Sequence, residues 1–343
     1  MLMTITIIVF LSLLILVHEL GHFLLAKRFG LFVGEFGLGL PPRAWGKKIG
    51  ETMYSVNWLP FGGYVKIAGE DGDDEALVGV PKDRIFGSIA IWKRFCILAG
   101  GVTMNFLFGW LLLSIVFMIG AEPGVFITQV QESGPAAMAG VQPTDRLLDF
   151  ERTDDFVSFT KEHAGEAITV RVERAGEELM IQMTPRTDPP AGQGPLGVVL
   201  GESIGHERQG ALGATKAGFM ESIAIVKGTF TGIAGLVGNA LVGEGSLDNV
   251  SGPIGIVKVT VDASEAGFIY VLSLMALISV NLAAFNILPF PALDGGRILF
   301  LMIEKVKGSP LPKKFEQYAN GIGLLLLLGL IMVVSVKDIV RLL

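Results

Sequence analysis

His18, Glu19 and His22 stand as His-Glu-x-x-His inside an apolar run from about Ile5 to Ala26. On a helix, residues four apart share a face, so the two imidazoles can grip one metal ion together. Zn²⁺ favours neutral imidazole nitrogens and, in catalytic sites, keeps one position open for water. Glu19 is then placed to take a proton from that water. Depth sharpens the reading. An ionisable side chain in a membrane helix costs on the order of 2.5–3.5 kcal/mol on insertion scales, so such a cluster marks function rather than packing.

Two histidines leave a catalytic zinc one protein ligand short. The ionisable residue in a comparable setting is Asp294, in Asn286-Ile-Leu-Pro-Phe-Pro-Ala-Leu-Asp294-Gly-Gly-Arg297. Pro289 and Pro291 stop a regular helix, which brings Asp294 back toward the metal, and Gly295 and Gly296 permit a tight turn. Asn286 can donate an amide hydrogen bond to a substrate carbonyl or to the oxyanion that develops on it. Standing alone, this stretch would read as a Pro/Gly turn with a helix-capping Asp.

The elements that must position these residues follow from composition. Of 343 residues 51% are hydrophobic and 17% charged, and the mean hydropathy is +0.58, which points to a polytopic α-helical membrane protein. A net charge of −6, without a basic patch and interleaved aromatics, gives no support for nucleic-acid binding. One cysteine, Cys96, excludes an intrachain disulfide and a Cys-rich metal site, and reads as a buried structural thiol. Runs long enough to span appear near 4–26, 97–120, 269–289 and 319–336, giving about four transmembrane helices. The first reads as a retained span and not a cleaved leader. The stretch near 219–242, rich in Gly and Thr, reads as an amphipathic or interfacial helix around Phe219, Ile223, Val226 and Phe230.

Lys and Arg crowd the first connection (Lys27, Arg28, Arg43, Lys47, Lys48, Lys82, Arg84, Lys93, Arg94) and the third (Arg297, Lys305, Lys307, Lys313, Lys314). The positive-inside rule puts both in the cytoplasm, with both termini outside. From Phe32 to Ile67 the chain alternates and turns, and Thr52–Val56 and Gly63–Ile67 read as strands of a hairpin packed against the catalytic helices. Its free edge could accept an extended substrate by strand addition, or the hairpin could only pack. The acidic run Glu70–Glu75 carries no assigned chemistry, and His163 and His206 are left out of the metal site.

Between the second and third spans, 122–186 reads as a soluble domain of short strands. Ala136 to Leu148, with a short helix ending at Gly140, resembles a bacterial PDZ domain, although Thr144-Asp145 stands where Gly-Asp is usual. Such a domain reads a peptide tail or filters by size. The chain therefore divides into 1–30, the first helix; 31–70, the β-hairpin region; 71–120, a cytoplasmic connection and second helix; 121–190, the PDZ-like domain; 191–265, linker and amphipathic segment; and 266–343, the third and fourth helices.

His18-Glu19-x-x-His22 together with Asn286-x-x-Pro289-x-Pro291-x-Leu-Asp294-Gly resembles the site-2 protease family of intramembrane metalloproteases, in its bacterial RseP type. Phe36–Pro41, Pro60–Lys66, Trp92–Phe106 and Ser251–Ile256 resemble further pieces of that family, so the likeness runs along most of the chain. The best-known members carry tandem PDZ modules; here there is room for one. The resemblance implies one Zn²⁺ held by His18, His22 and Asp294, with Glu19 as general base. It implies cleavage of a peptide bond within a transmembrane segment of a membrane protein already cut by another protease, such as an anti-sigma factor or signal-peptide remnant. Asn286, Pro289, Pro291, Gly63 and Tyr64 are the expected substrate contacts. A bacterial plasma membrane is the implied location, with the active site toward the cytoplasm and the PDZ domain outside. A metal transporter would instead spread polar residues over several depths, and a silent scaffold acting through the PDZ domain could lose Glu19 freely.

Overall fold

The computed structural model describes residues 2–70, 79–120, 124–131, 133–143, 145–174, 176–190, 193–203, 208–242, 252, 255–257, 259–261 and 268–342. The chain forms two compact units: one of residues 1–113, 216–260 and 272–343, the other of 114–215 and 261–271.

The first unit is built on long apolar helices. α1 (Leu2–Arg28) carries no acidic residue in its first turn and ends on Lys27 and Arg28, whose charges suit the negative end of a helix. Gly30, at φ +80°, then turns the chain out of the helix. Two strands follow, β1 (Val33–Ile49) and β2 (Thr52–Ile67). They pair antiparallel, and β2 curls so that the first half of β1 lies between its two arms: Phe36 is opposite both Tyr54 and Val65. The rings of Phe36 and Tyr54 rest on Phe23 of α1, with centroids 5.0 and 5.9 Å away. This fixes the sheet against the helix that carries the metal motif.

α2 (Ile91–Ile119) crosses α1 with backbones almost touching. A Cβ at Gly21 would collide with the Gly100 carbonyl, and a Cβ at Gly100 would lie 2.7 Å from the Gly21 oxygen. Close approach of this kind is available only to glycine. Two short helices, α3 (Pro135–Met138) and α4 (Thr153–Glu162), lie in the other unit, and α5 (Ala211–Leu241), α6 (Phe268–Asn286), α7 (Asp294–Lys307) and α8 (Lys313–Leu342) supply the remaining helices of this one. α6 meets α2 where Gly109 faces Ala276 and Val280, and the Ser279 hydroxyl donates to the Asn105 carbonyl at 2.8 Å. The start of α7 is packed on the preceding turn, and Gly308 at φ +74° ends it.

Among the described residues five helices are long and apolar enough to cross a membrane, one more than the four runs expected from the sequence. The addition is α5: the region read as an amphipathic or interfacial helix is one continuous helix of 31 residues, long enough to cross a membrane or to lie along it. Its Gly and Thr lower the mean hydropathy without breaking a helix that carries few charges. It lies against its neighbours through Phe219 on Phe106 and Trp110, and through a hydrogen bond from Thr229 to Asn281.

The second unit holds an antiparallel sheet in the order β6-β5-β4-β3-β7. Its strands are β3 (Gly124–Val130), β4 (Arg146–Leu147), β5 (Ile168–Arg174), β6 (Glu177–Met183) and β7 (Val198–Ser203), with helices α3 (Pro135–Met138) and α4 (Thr153–Glu162). Alternation sets the faces: Ile168, Val170 and Val172 are buried while Thr169 and Arg171 are exposed. The buried set joins Val125, Ile127, Leu147 and Phe156 in one core. Asp145, fully buried, is clasped by Arg174 at 2.6 and 2.7 Å. The edge strand β7 comes from the range read as linker (191–265), so the sheet extends past the expected boundary at 190.

Candidate active site

α1 places His18 and His22 one turn apart, and the turn between α6 and α7 returns Asp294 to them. Asp294 Oδ2 lies 3.2 Å from His18 Nε2 and 3.4 Å from His22 Nε2, and the two imidazole nitrogens are 3.2 Å apart. Among the described residues this is the group of His, Cys, Asp and Glu side chains able to hold a metal. Four ligands at about 2.0–2.1 Å from a tetrahedral zinc would stand about 3.3 Å from one another, which is the spacing found here. Asp294 Oδ2 is buried without a hydrogen-bond partner of good geometry, which a cation would supply. The donor set and the orphaned oxygen fit zinc.

The supports are specific. His22 Nδ1 is 2.8 Å from the Ile97 carbonyl, which requires that nitrogen to carry the hydrogen and leaves Nε2 bare. Gly101 of α2 lies over both rings: a Cβ there would fall on His22 Nε2 and come within 2.8 Å of His18 Nε2. Gly295 and Gly296 lie so close to the Ile287, Leu288 and Phe290 carbonyls that side chains would collide with that backbone. Ala292 takes φ +72°, a strained value for a residue with a Cβ, and its N–H donates to Asn320 of α8 at 3.0 Å. At the far end of α7 a bidentate, buried ion pair joins Glu304 to Arg94 of α2 at 2.9 and 3.1 Å. α7 is thus held to the helix that touches the histidines.

A cavity of about 280 Å³ opens on this centre, lined by His18, Glu19, His22 and Asp294, with Gly63, Tyr64 and Asn286 among the remainder. Gly63 presses against Glu19: a Cβ would lie 3.1 Å from Glu19 Cγ. The Tyr64 hydroxyl donates to Glu35 at 2.9 Å. Burial alone would raise the Glu35 pKa, but hydrogen bonds from Ser55, Tyr64 and Arg43 outweigh it and hold the carboxyl below its ordinary range. Pro289 and Pro291, expected as substrate contacts, do not line the cavity; they shape the turn, and Pro291 packs on Gly323 of α8.

Several residues here were missed by the sequence reading. Glu70, at the head of an acidic run given no chemistry, lines the cavity and pairs with Arg297 at 2.6 Å. Residues 71–75 of that run lie outside the described residues. Gly101 and Asn105 of α2 also touch the histidines. Their signal was available in part: a glycine pair and an amide in a hydrophobic span are both unusual. His163 sits on Phe159, its Nδ1 2.9 Å from the Phe159 carbonyl. His206 lies outside the described residues.

A metal-binding His-Glu-x-x-His helix inside a bundle of membrane-length helices defines a membrane metalloprotease. Residues 6–330 match the model of peptidase family M50, and the chain belongs to that family, the site-2 proteases. It is 36% identical over 351 residues to a protein named as a zinc metalloprotease in Fusobacterium nucleatum, covering 98% of each chain. A protein of the same description in Clostridium perfringens is 32% identical over 335 residues, covering 96% of each. The regulator of sigma-W protease RasP of Bacillus subtilis is 28% identical over 411 residues, again covering 96% of each. The chain is a zinc metalloprotease of the intramembrane site-2 type.

Proposed function

We propose that this protease hydrolyses peptide bonds within transmembrane segments of other membrane proteins, using zinc held by His18, His22 and Asp294. The observation that carries the reading is the convergence of these three side chains at 3.2–3.4 Å, beside Glu19, in one cavity. Bound zinc supplies a Lewis acid that makes water acidic enough to be deprotonated near neutral pH and polarises a carbonyl. Glu19 takes the proton from the attacking water and passes it to the leaving amine. Asn286, on the cavity wall, donates its amide to the oxygen that gains charge. A substrate helix hides its carbonyls in backbone hydrogen bonds and must unwind to be cut. The arm Gly63–Ile67 pairs with β1 on one side, and Gly63, Tyr64 and Val65 line the cavity, so its open edge offers an unwound segment a strand to pair with.

The second unit serves as a single PDZ-like module that reads a peptide tail or excludes bulky substrates, a reading supported by its open strands β6 and β7. The basic loops favour a cytoplasmic position for the catalytic end of α1 and the start of α7 in a bacterial plasma membrane, with the PDZ-like module outside; α1, α2, α6 and α8 cross and α5 lies along the membrane without crossing, which keeps both termini outside. The relative named for sigma-W regulation favours remnants of anti-sigma factors, already shortened by another protease, as substrates. The test is cleavage of a model transmembrane substrate by purified protein, with zinc measured in the same samples. A chelator should abolish cleavage and zinc should restore it. Asp294→Ala should lower zinc content. Wild-type zinc content in Asp294→Ala would sink the ligand assignment.

A further inference from the structure

The two histidines are not held alike. His22 Nδ1 faces the Ile97 carbonyl, which can only accept, so the ring is set with Nε2 bare. His18 Nδ1 instead faces the side-chain amide of Asn105, with Nδ2 at 3.3 Å. Asn105 is fully buried, and its Oδ1 has no hydrogen-bond partner. Its backbone is fixed to α6 by the Ser279 hydroxyl. A buried acceptor left unpaired next to a group it could pair with needs a reason.

Resting on the reading of His18 as a ligand through Nε2, we propose that Asn105 is a positioning residue that follows the tautomer of His18. In the metal-free protein Nδ1 is bare and accepts from the Asn105 N–H, while the ring hydrogen sits on Nε2. Zinc requires Nε2 bare. The hydrogen therefore leaves Nε2 and one returns on Nδ1, so the ring stays neutral. Nδ1–H now faces a donor, and a half-turn of the amide brings Oδ1 to it as acceptor. A side-chain amide presents a donor and an acceptor at equal reach, so it can serve both states. A carboxylate, offering only acceptors, would serve the loaded state alone. Asn105 thus sets the orientation of the ligand whose ring no backbone carbonyl fixes, from a helix that contributes no ligand.

The experiment measures the zinc dissociation constant of full-length protein in detergent by competition with a chelator, together with thermal unfolding of the metal-free form. Partners behind metal-bound imidazoles are worth about 10–100-fold in metal affinity. Asn105→Leu, similar in size and unable to hydrogen-bond, should lose that factor, and Asn105→Asp should stay within a few-fold of wild type. Wild-type affinity in Asn105→Leu overturns the proposal. Equal weakening in both variants, with unchanged metal-free unfolding, overturns it too, since an acceptor facing Nδ1 would then not be what supports the loaded ring. If neither variant folds, ¹⁵N-histidine spectra of wild type decide: His18 should move its hydrogen from Nε2 to Nδ1 on zinc loading, and Nδ1–H in both states refutes a tautomer to follow. Failure of the underlying ligand reading looks different, because His18→Ala would then keep wild-type zinc affinity.

Discussion

Replacing Gly101 with alanine should empty the metal site while leaving the fold intact. The new Cβ would lie 2.6 Å from His18 Cε1 and 2.8 Å from its Nε2, and on top of His22 Nε2. Ordinary contact begins at 3.4 Å, so the His18 ring must retreat by 0.6–0.8 Å (3.4 less 2.8 or 2.6), and His22 by more. A zinc site tolerates about ±0.2 Å in its ligand distances, so neither nitrogen can retreat this far and still coordinate. Zinc affinity should fall by more than about 100-fold, beyond the loss of an outer partner, which is about 2.7 kcal/mol. What the Cβ meets is imidazole rings and not backbone, and rings can turn away, so the metal-free protein should unfold near the wild-type temperature. Gly21→Ala is the contrast: there the Cβ strikes the Gly100 carbonyl, two helices must part, and unfolding temperature should drop. The assay is zinc content and chelator competition on purified protein, with thermal unfolding and cleavage of a transmembrane substrate in parallel. A Gly101→Ala protein that binds one zinc at wild-type affinity and cleaves normally would refute the reasoning.

Three further outcomes follow from the same geometry. Glu19→Gln should keep zinc, since Glu19 is not among the converging ligands, yet lose about 10²–10⁴-fold in cleavage rate; unimpaired turnover would remove the base assignment. Glu304→Ala strands the buried Arg94 guanidinium and should cost about 3–5 kcal/mol of stability, while Arg94→Met with Glu304→Leu should recover most of it; a double variant as unstable as the single one would count against a charge effect. Glu51, hydrogen-bonded by Arg84 and Lys27, has its carboxyl lowered to about 2. Because the folded value lies below the unfolded one, this contribution is present above about 4.5 and fades as pH falls from there toward 2. The groups are partly exposed, so about 1 kcal/mol is the expected size. Glu51→Gln should therefore be less stable than wild type at pH 7 and equal to it near pH 2, as read by unfolding at the two pH values.

The members of the candidate site were legible because they are expensive. Charged side chains in a hydrophobic helix must be compensated, so His18, Glu19 and His22 announce themselves, and the Pro/Gly turn around Asp294 supplies the remaining ligand type at the far end of the chain. The arms of β2 were legible from alternation. What stayed hidden was third-dimensional. Glu70 reads as surface because nothing local separates it from the acids that follow it, yet it meets Arg297 from a helix more than two hundred residues away. Pro289 and Pro291 flank the proposed ligand outside the cavity lining, and a proline that shapes a turn and one that lines a cavity have the same local sequence. The strand β7 was lost in a Gly/Pro-rich approach at 193–197, since its partner β3 lies about seventy positions earlier.

The distribution of the proposed ligands has a mechanical consequence. Two come from α1 and one from the start of α7, and no hydrogen bond among the ligands themselves fixes Asp294 Oδ2 where it is. The register between α1 and α7 is set indirectly through α2. In its first three turns α2 both touches α1, through Gly100 on Gly21, and grips α7, through Arg94 on Glu304. α8 adds a hold on the turn itself, through Asn320 on the strained Ala292. A small slip at any of these contacts moves Asp294 relative to the histidines, and a metal tolerant of about 0.2 Å is a sensitive reporter of it. Disruption of the Arg94–Glu304 pair should therefore weaken zinc binding even where the bundle survives, although neither residue lies among the lining of the catalytic cavity. Zinc affinity of Arg94→Met with Glu304→Leu checks this: restored stability with restored affinity means the pair acts only by locking the helices. Restored stability with lost affinity means the charges are needed to hold the register itself.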